Sequence, residues 1–265
     1  MILTLDVGNT SLHGGVFEND NLILQFRKPA QWRSSSDELG IFFRSVLREN
    51  GIAPEKITAV SICSVVPDAD HSIRNSFLKY FDLTPFELQP GVKTGLQIRY
   101  RNPLEVGADR IANAIAATEI YHDRNLIIAD FGTATIFCVI NKAREYLGGI
   151  IVPGIQISLE ALVRKTAKLH SVEIVNRETV VGRTTAESIQ SGMFFGQIGI
   201  VREITGRVTA EAFGGEQPIV IGTGGFSSLF ANEGLFDAVH PDLVLHGLYR
   251  ALRLNQPARN IHQKP

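Results

Sequence analysis

Cysteine is scarce in this chain. Cys63 and Cys138 are the two cysteines in 265 residues, and each lies within an apolar stretch, far from the other. Two such cysteines cannot form the disulfide framework of a small secreted protein, and we interpret both as buried free thiols. The seven histidines show no spacing typical of metal ligands. The sequence therefore predicts no zinc site.

Long hydrophobic runs and a strong net charge are also missing. No apolar run approaches the roughly 18 residues of a transmembrane helix, and the first residues lack the basic region and cleavage site of a signal peptide. We therefore expect a cytoplasmic protein with no membrane partner. The formal net charge is −1 and the pI is near 6.7, which argues against an electrostatic nucleic-acid binder. A hydrophobic content of 44% is ample for a packed core.

The common nucleotide-binding signatures are missing too. No G-x-x-x-x-G-K-[ST] string occurs, which excludes a Walker-type phosphate loop, and Gly222–Gly225 does not follow G-x-G-x-x-G. Asp130-Phe131-Gly132 spells the D-F-G string of protein kinases, but no H-R-D precedes it. Any nucleotide chemistry must therefore rest on another arrangement.

What the sequence does have is a turn motif at its start. Apolar residues dominate Met1–Leu5 and predict a buried strand, and Asp6 places a carboxylate at its end. Gly8 leaves the backbone bare enough for a phosphate to approach, and the short polar residues after it offer N–H donors. Because an extended stretch resumes at His13, the motif lies in the turn of a hairpin. The alternative is an ordinary hairpin turn with a solvated aspartate.

A second copy of this motif favours the phosphate interpretation. The stretch LIIADFGTAT, residues 126–135, repeats the strand and the turn, with Asp130 in the place of Asp6 and Gly132 in the place of Gly8. Each copy continues into a strand, a polar turn and a further extended run. Two halves that open alike predict duplicated domains whose turns face each other across a cleft. Two carboxylates and two glycine turns in such a cleft suit a metal-bound polyphosphate.

The order of the segments predicts an α/β fold. In the first half, three strands are followed by a helix, a strand, a helix and a short strand, which is typical of a mixed sheet flanked by helices. We predict an N-terminal domain over 1–113, a C-terminal domain over 114–255 and a polar tail over 256–265. The single tryptophan, Trp32, falls in a polar loop.

Two features have alternative interpretations. Asp109 comes directly before a helix predicted from about Arg110, so it is either an N-cap or a carboxylate that faces a substrate. A long helix predicted over 185–212 carries three glycines at helical spacing, which suit either close packing in the core or a subunit interface. These glycines are Gly192, Gly196 and Gly199.

Four strings together resemble the type III pantothenate kinases of the acetate and sugar kinase/Hsp70/actin superfamily. They are Asp6–Thr10, Gly107–Arg110, Asp130–Ala134 and Gly222–Gly225, and the G-A-D-R string is the most specific. The resemblance covers about residues 1–255. It implies duplicated ribonuclease-H-like domains, ATP in the cleft between them and an obligate homodimer. The implied reaction phosphorylates pantothenate to 4′-phosphopantothenate with ATP, the first step of coenzyme A biosynthesis.

The resemblance also implies roles for single residues. Asp109 is the implied proton acceptor and Asp130 the implied ligand of a monovalent cation, K⁺ or NH₄⁺. The implied ATP-binding residues are Asp6, Val7, Gly8, Asn9, Thr10, Ser11, Leu12, His13 and Thr133. The implied pantothenate-binding residues are Tyr100, Gly107, Ala108, Asp109, Arg110 and Thr185.

One of these assignments is ambiguous. The family has a Gly-Lys-Asn/Asp-Thr string where this chain has Gly182-Arg183-Thr184-Thr185. Either threonine therefore suits the substrate contact, and Thr184 also suits an N-cap because Glu187 follows three residues later.

The chemistry agrees with this placement, because phosphoryl transfer needs positioning and charge neutralisation more than covalent help. Cations held near Asp130 and near Asp6, the candidate ligand of the Mg²⁺ that accompanies ATP, would supply the neutralisation. Arg110 would hold the carboxyl group of pantothenate or fix Asp109.

Other classes of function stay open on the sequence. A sugar kinase or a phosphatase of the same superfamily would share the two turns but would not need the G-A-D-R string. A non-catalytic accessory factor in gene regulation would need none of Asp6, Asp109 and Asp130, and no helix-turn-helix is visible.

Overall fold

The computed structural model describes residues 1–31 and 33–256, so Trp32 and most of the predicted tail lie outside the described residues. The strands are β1 (Ile2–Val7), β2 (Ser11–Glu18), β3 (Asn21–Pro29), β4 (Ala59–Ser64), β5 (Phe86–Glu87), β6 (Gln97–Ile98), β7 (Leu126–Phe131), β8 (Ala134–Ile140), β9 (Glu145–Pro153), β10 (Ile219–Thr223) and β11 (Ala238–Val239). The α-helices are α1 (Ser36–Glu49), α2 (Pro67–Phe81), α3 (Ala108–Ile120), α4 (Ile155–Lys165), α5 (Thr185–Phe213) and α6 (Leu243–Asn255).

The strands form two mixed sheets with the same topology. One has the order β3-β2-β1-β4-β5, and the other has the order β9-β8-β7-β10-β11 with β6 added beside β9. In each sheet, the strand that carries the aspartate near its end pairs antiparallel with the next strand and parallel with a strand that follows a helix. The predicted α/β class and the predicted duplication are therefore confirmed.

The chain divides into two compact units. The first comprises Met1–Gly95, Leu104–Ala116 and the described chain from Val244, and the second comprises Leu96–Pro103 and Ala117–Leu243. Helix α3 therefore starts in the first unit and ends in the second, whereas α6 lies almost wholly in the first. The domain boundaries expected from the sequence, after residues 113 and 255, stay a prediction.

The first sheet buries its two faces differently. Leu3, Leu5 and Val7 alternate along β1 and join the apolar core that α1 and α2 cover. Thr4 and Asp6 point to the opposite face, because successive strand residues alternate. Helix α6 packs on that second face, where Ser61 donates its hydroxyl to the carbonyl of Leu248 at 2.8 Å. The site residues of this unit lie at the end of the second face.

The second sheet has its own aromatic core. Phe131, at the end of β7, stacks on Phe230, which stacks in turn on Phe194 of α5. All three side chains are buried. These contacts therefore anchor β7 at Phe131, the residue next to Asp130. Among the described residues, no helix combines the length and the apolar character that a membrane crossing requires.

Candidate functional site

The first turn joins β1 to β2 and presents backbone rather than apolar side chains. Gly8 donates its N–H to the carbonyl of Ser11 at 3.1 Å, which closes the turn. The side chains of Val7 and Leu12 are fully buried in the core, so their backbone groups are what they can offer a phosphate. Asn9 and Thr10 are exposed.

Asp6 is the centre of a polar row that crosses three strands. The register pairs it with His13 of β2 on one side and with Cys63 of β4 on the other. The thiol of Cys63 donates to Oδ1 of Asp6 at 3.3 Å. His13 and Cys63 are buried and Asp6 is half-buried, so the carboxylate is held in surroundings with little water.

Cys63 is a buried free thiol, as the sequence predicted. Burial raises its pKa well above the usual range, and the negative charges of Asp6 and Asp109 raise it further. The thiol is therefore protonated and acts as a donor. The contact of Cys63 with Asp6 was not predicted, because the register of β1 against β4 cannot be read from either apolar stretch.

Asp109 lies inside helix α3 rather than at its cap. The helix begins at Ala108, so Asp109 is its second residue, and the N-cap alternative is wrong in position. Oδ1 of Asp109 accepts the backbone N–H of Arg110 at 2.8 Å. A Cβ atom at Gly107 would overlap this same oxygen. The glycine therefore gives the carboxylate room to fold back over the start of the helix.

The electrostatics of Asp109 are dominated by burial. Desolvation raises the pKa of its carboxyl group above the usual value, although the backbone N–H and the charge of Arg110 act in the opposite direction. The N-terminus of a helix by itself favours the ionised form of a carboxyl group. Burial outweighs that effect, because removing a charge from water costs more than one N–H contact returns.

The second turn joins β7 to β8 and, like the first, is closed by a hydrogen bond from its glycine, here to an acceptor two residues later rather than three. Gly132 donates its N–H to the carbonyl of Ala134 at 3.1 Å. Asp130 is the penultimate residue of β7 and pairs with Thr223 of β10 in the parallel register. Gly224 follows with φ +85°, and a side chain there would overlap Oδ1 of Asp130 and the backbone of Phe131. The G-T-G-G string therefore packs its backbone against Asp130.

Gly154 brings the start of helix α4 onto this second turn. It is the N-cap of α4, and a Cβ atom on it would overlap the carbonyl oxygens of Gly132 and Thr133. The approach of Gly154 to the second turn was not predicted from the sequence. The strand-to-helix glycine was the available signal, but its partner is more than 20 residues away in the chain.

The two turns offer oxygen ligands to cations that would bind together with a nucleotide. The described part of the chain holds no group of three or more His, Cys, Asp or Glu side chains able to bind a metal. Mg²⁺ in phosphate sites typically uses one or two carboxylates, phosphate oxygens and water, so Asp6 alone fits that requirement. In the second turn, Asp130 and the backbone carbonyls of Gly132 and Thr133 are oxygen donors of the kind that alkali cations bind.

The remaining predicted site residues lie on separate elements of the second unit. The ring of Tyr100 packs beside Gly148, where an added Cβ would lie 3.9 Å from it. Thr184 is the N-cap of α5, and its hydroxyl accepts the N–H of Glu187 at 3.2 Å. Thr185 is the first residue of the helix and is exposed. The capping role of Thr184 is confirmed, and the substrate contact of Thr185 stays a prediction.

The glycines of α5 face outward. Gly192, Gly196 and Gly199 are exposed, and a Cβ at any of them would meet no atom of the described chain within 4 Å beyond the neighbouring turns of the helix itself. Close packing within the core, one of the two interpretations of this spacing, is therefore wrong for this chain.

Comparison with known proteins gives consistent similarities. The family model for type III pantothenate kinase matches residues 2–207. A type III pantothenate kinase of Legionella pneumophila (strain Paris) is 55% identical over 255 residues, which are 96% of this chain and 99% of that protein. One of Elusimicrobium minutum (strain Pei191) is 51% identical over 256 residues, covering 97% and 99%.

Solved structures resemble the fold at much lower identity. A protein from Sinorhizobium meliloti described as a 2-dehydro-3-deoxygalactonokinase aligns over 100% of both chains with a TM-score of 0.63 and 13% identity. At this identity the likeness shows the shared fold alone.

Proposed function

The chain belongs to the type III pantothenate kinase family, and we propose that it transfers the γ-phosphoryl group of ATP to the primary hydroxyl of pantothenate. The observation on which this rests is the buried carboxylate of Asp109 in the G-A-D-R segment. It lies in the same unit as the first turn, and its charge acts on Cys63, the residue that contacts Asp6.

Asp109 is the proposed proton acceptor. As the hydroxyl oxygen of pantothenate bonds to the γ-phosphorus, the bond from that phosphorus to the bridging oxygen breaks and ADP leaves. The hydroxyl proton passes to the carboxylate of Asp109. A raised pKa suits this role, because the best general base has a pKa nearer the working pH than an ordinary aspartate has.

The two turns are the proposed phosphate-binding elements. The first turn, within residues 6–13, is assigned to the phosphates of ATP, with Asn9 and Thr10 at its exposed tip, and Thr133 is the ATP contact assigned in the second turn. Asp6 would hold the Mg²⁺ that accompanies ATP, and Mg²⁺ neutralises negative charge on the phosphates when bound. Asp130, with the carbonyls of its turn, would hold a monovalent cation such as K⁺ or NH₄⁺.

The residues assigned to pantothenate fit its chemistry. The guanidinium of Arg110 is buried, and a buried cation suits either the carboxyl group of pantothenate or the orientation of Asp109. Gly107 and Ala108 are small enough for a substrate to come close. Tyr100 and Thr185 supply an aromatic ring and a hydroxyl. The cytoplasmic location expected from the sequence stays a prediction.

We also infer that the protein is a homodimer. The glycine face of α5 is bare, so a second helix could approach it closely, and the exposed valines Val180 and Val181 precede the same helix. The exposure of this face supports a subunit interface, because the alternative interpretation, close packing in the core, is wrong.

The decisive experiment is a coupled assay of ADP release with purified protein, ATP, Mg²⁺ and K⁺. We expect ADP formation only when pantothenate is present, with 4′-phosphopantothenate detected by mass spectrometry. Sugars in place of pantothenate test the sugar-kinase alternative, and phosphate release without an acceptor tests the phosphatase. Absence of turnover with every acceptor would favour a non-catalytic role.

A matched pair of variants ties the activity to the site. Asp109→Asn should lose activity. Asp68→Asn should keep it, because Asp68 is also the second residue of a helix in the first unit but is exposed. Equal loss in both variants would contradict the assignment of Asp109.

A further inference from the structure

Cys63 contacts Asp6 but has no part in the proposed proton transfer. Its strand, β4, lies parallel to β1 with Cys63 in register with Asp6. The thiol donates to Oδ1 of Asp6 at 3.3 Å, and 1% of the residue is exposed. The thiol therefore contacts the carboxylate of Asp6 from a buried position.

The contact has a chemical consequence for the carboxylate. A carboxylate oxygen that accepts a donor from the protein is fixed in orientation, and partners behind a metal ligand fix that ligand and tune its affinity. An apolar side chain at position 63 would remove this donor from Oδ1 and leave the carboxylate freer to rotate.

We propose that Cys63 is a positioning residue, whose thiol holds Oδ1 of Asp6 and so fixes the orientation in which this carboxylate binds the Mg²⁺ that accompanies ATP. This inference rests on the proposed function, because it takes Asp6 as the ligand of that cation. Cys63 itself touches neither substrate nor cation.

The second cysteine is a natural control. Cys138 is equally buried, with 1% exposed, and lies on β8 in the second unit. Its sulfur accepts the hydroxyl of Tyr146 at 3.3 Å. Replacing Cys138 therefore removes a buried thiol from the second sheet and leaves β1 and β4 unchanged in sequence.

The test measures how nucleotide binding depends on Mg²⁺. Binding of a non-hydrolysable ATP analogue is followed by calorimetry over a range of Mg²⁺ concentrations for the parent, Cys63→Ala, Cys63→Ser and Cys138→Ala. We expect Cys63→Ala to need roughly 10-fold more Mg²⁺ for half-maximal binding. Cys63→Ser should stay within about 2-fold, because its hydroxyl also donates. Cys138→Ala should match the parent.

Kinetics give an independent readout. In the pantothenate assay, Cys63→Ala should raise the KM for Mg·ATP and leave kcat nearly unchanged, because the proton acceptor is intact. Cys63→Val fills the space without a donor, so it provides the same comparison where the alanine variant is too unstable to purify.

Several outcomes would overturn the inference. It fails if Cys63→Ala binds the analogue with the Mg²⁺ dependence of the parent, if Cys63→Ser is as impaired as Cys63→Ala, or if the parent binds without any Mg²⁺ dependence. A parent that binds Mg²⁺ and nucleotide but does not phosphorylate pantothenate contradicts the proposed function alone. An active parent with unaffected Cys63 variants contradicts this inference alone.

Discussion

The carboxyl group of Asp109 lies in a buried position that disfavours its ionised form. Burial raises its pKa, and the N–H and guanidinium of Arg110 offset part of that cost. Such a group is unfavourable for folding but useful as a base, because the proton it accepts relieves the buried charge. Three predictions follow from the buried charge of Asp109, and a fourth follows from the carboxylate of Asp130 in the second turn.

The first prediction concerns the chemical step. Asp109→Asn keeps the size of the side chain but removes the proton acceptor, so kcat should fall by about 10²–10⁴. Affinity for ATP should change little, because the phosphate turns are untouched. Steady-state kinetics and nucleotide titration check both values. A kcat within a few-fold of the parent would mean that Asp109 only stabilises the start of α3.

The second prediction concerns pH and activity. Asp109 must be ionised to accept a proton, so kcat/KM should rise with pH through the raised pKa of this group. The midpoint should lie above the ordinary value of about 3.9 for aspartate. A pH–rate profile shows this limb, and the residual activity of Asp109→Asn should lack it. A midpoint at or below the ordinary value would contradict the buried setting.

The third prediction concerns pH and stability. Because the folded pKa lies above the unfolded value, the folded state holds its proton over a window in which the unfolded state has lost it, and stability falls as pH rises through that window. Above the window, Asp109→Asn should unfold at a higher Tm than the parent, because the amide carries no charge to desolvate. Below the unfolded pKa the difference should vanish. Thermal unfolding at several pH values checks the sign.

The fourth prediction concerns the cation assigned to Asp130. Parent activity should require a monovalent cation as well as Mg²⁺, and Asp130→Asn should lose the response to K⁺ or NH₄⁺. Assays in buffers that contain only Na⁺, with K⁺ added stepwise, measure this response. Full activity of Asp130→Asn in the Na⁺ buffer would remove the assignment.

At the scale of elements, glycines decide how closely a helix or a strand can approach the second turn. Gly154 and Gly224 each face atoms of the turn that a Cβ would overlap. Those atoms include backbone, which cannot move aside as a flexible side chain can. The elements that carry these glycines, the start of α4 and the end of β10, are therefore packed against the turn that bears Asp130.

The fifth prediction tests this packing. Gly154→Ala should displace the carbonyls of Gly132 and Thr133, lower Tm and raise the KM for ATP. Gly206→Ala is the matched control, because that glycine lies within α5 with open space around it. Alanine there should be neutral or stabilise by about 0.5–1 kcal/mol. Unfolding curves and kinetics of both variants make the comparison, and equal behaviour would contradict the role of Gly154.

At the scale of the whole molecule, association follows from the bare face of α5. Light scattering should give a mass near twice the 29.1 kDa of the single chain. Gly196→Arg should lower that mass to the single-chain value without unfolding the protein, because no described atom of the chain outside the local helix lies near its Cβ position. A monomeric parent at micromolar concentration would contradict the dimer.

The sequence by itself determined the class of fold, the repeated turns and the family. These follow from local information: the apolar strands that end in Asp6 and Asp130, the glycines after them, and the G-A-D-R string. Helix boundaries such as the N-cap at Thr184 were also within reach, because capping depends on residues three positions apart.

Only the tertiary structure decided the features that depend on distant parts of the chain. The thiol of Cys63 meets Asp6 through the register of two strands, and Gly154 meets the second turn through the packing of α4. The raised pKa of Asp109 follows from burial by its surroundings, which overrides the local effect of the helix start. Register, close approach and desolvation are properties of elements packed together, so no local pattern of residues could reveal them.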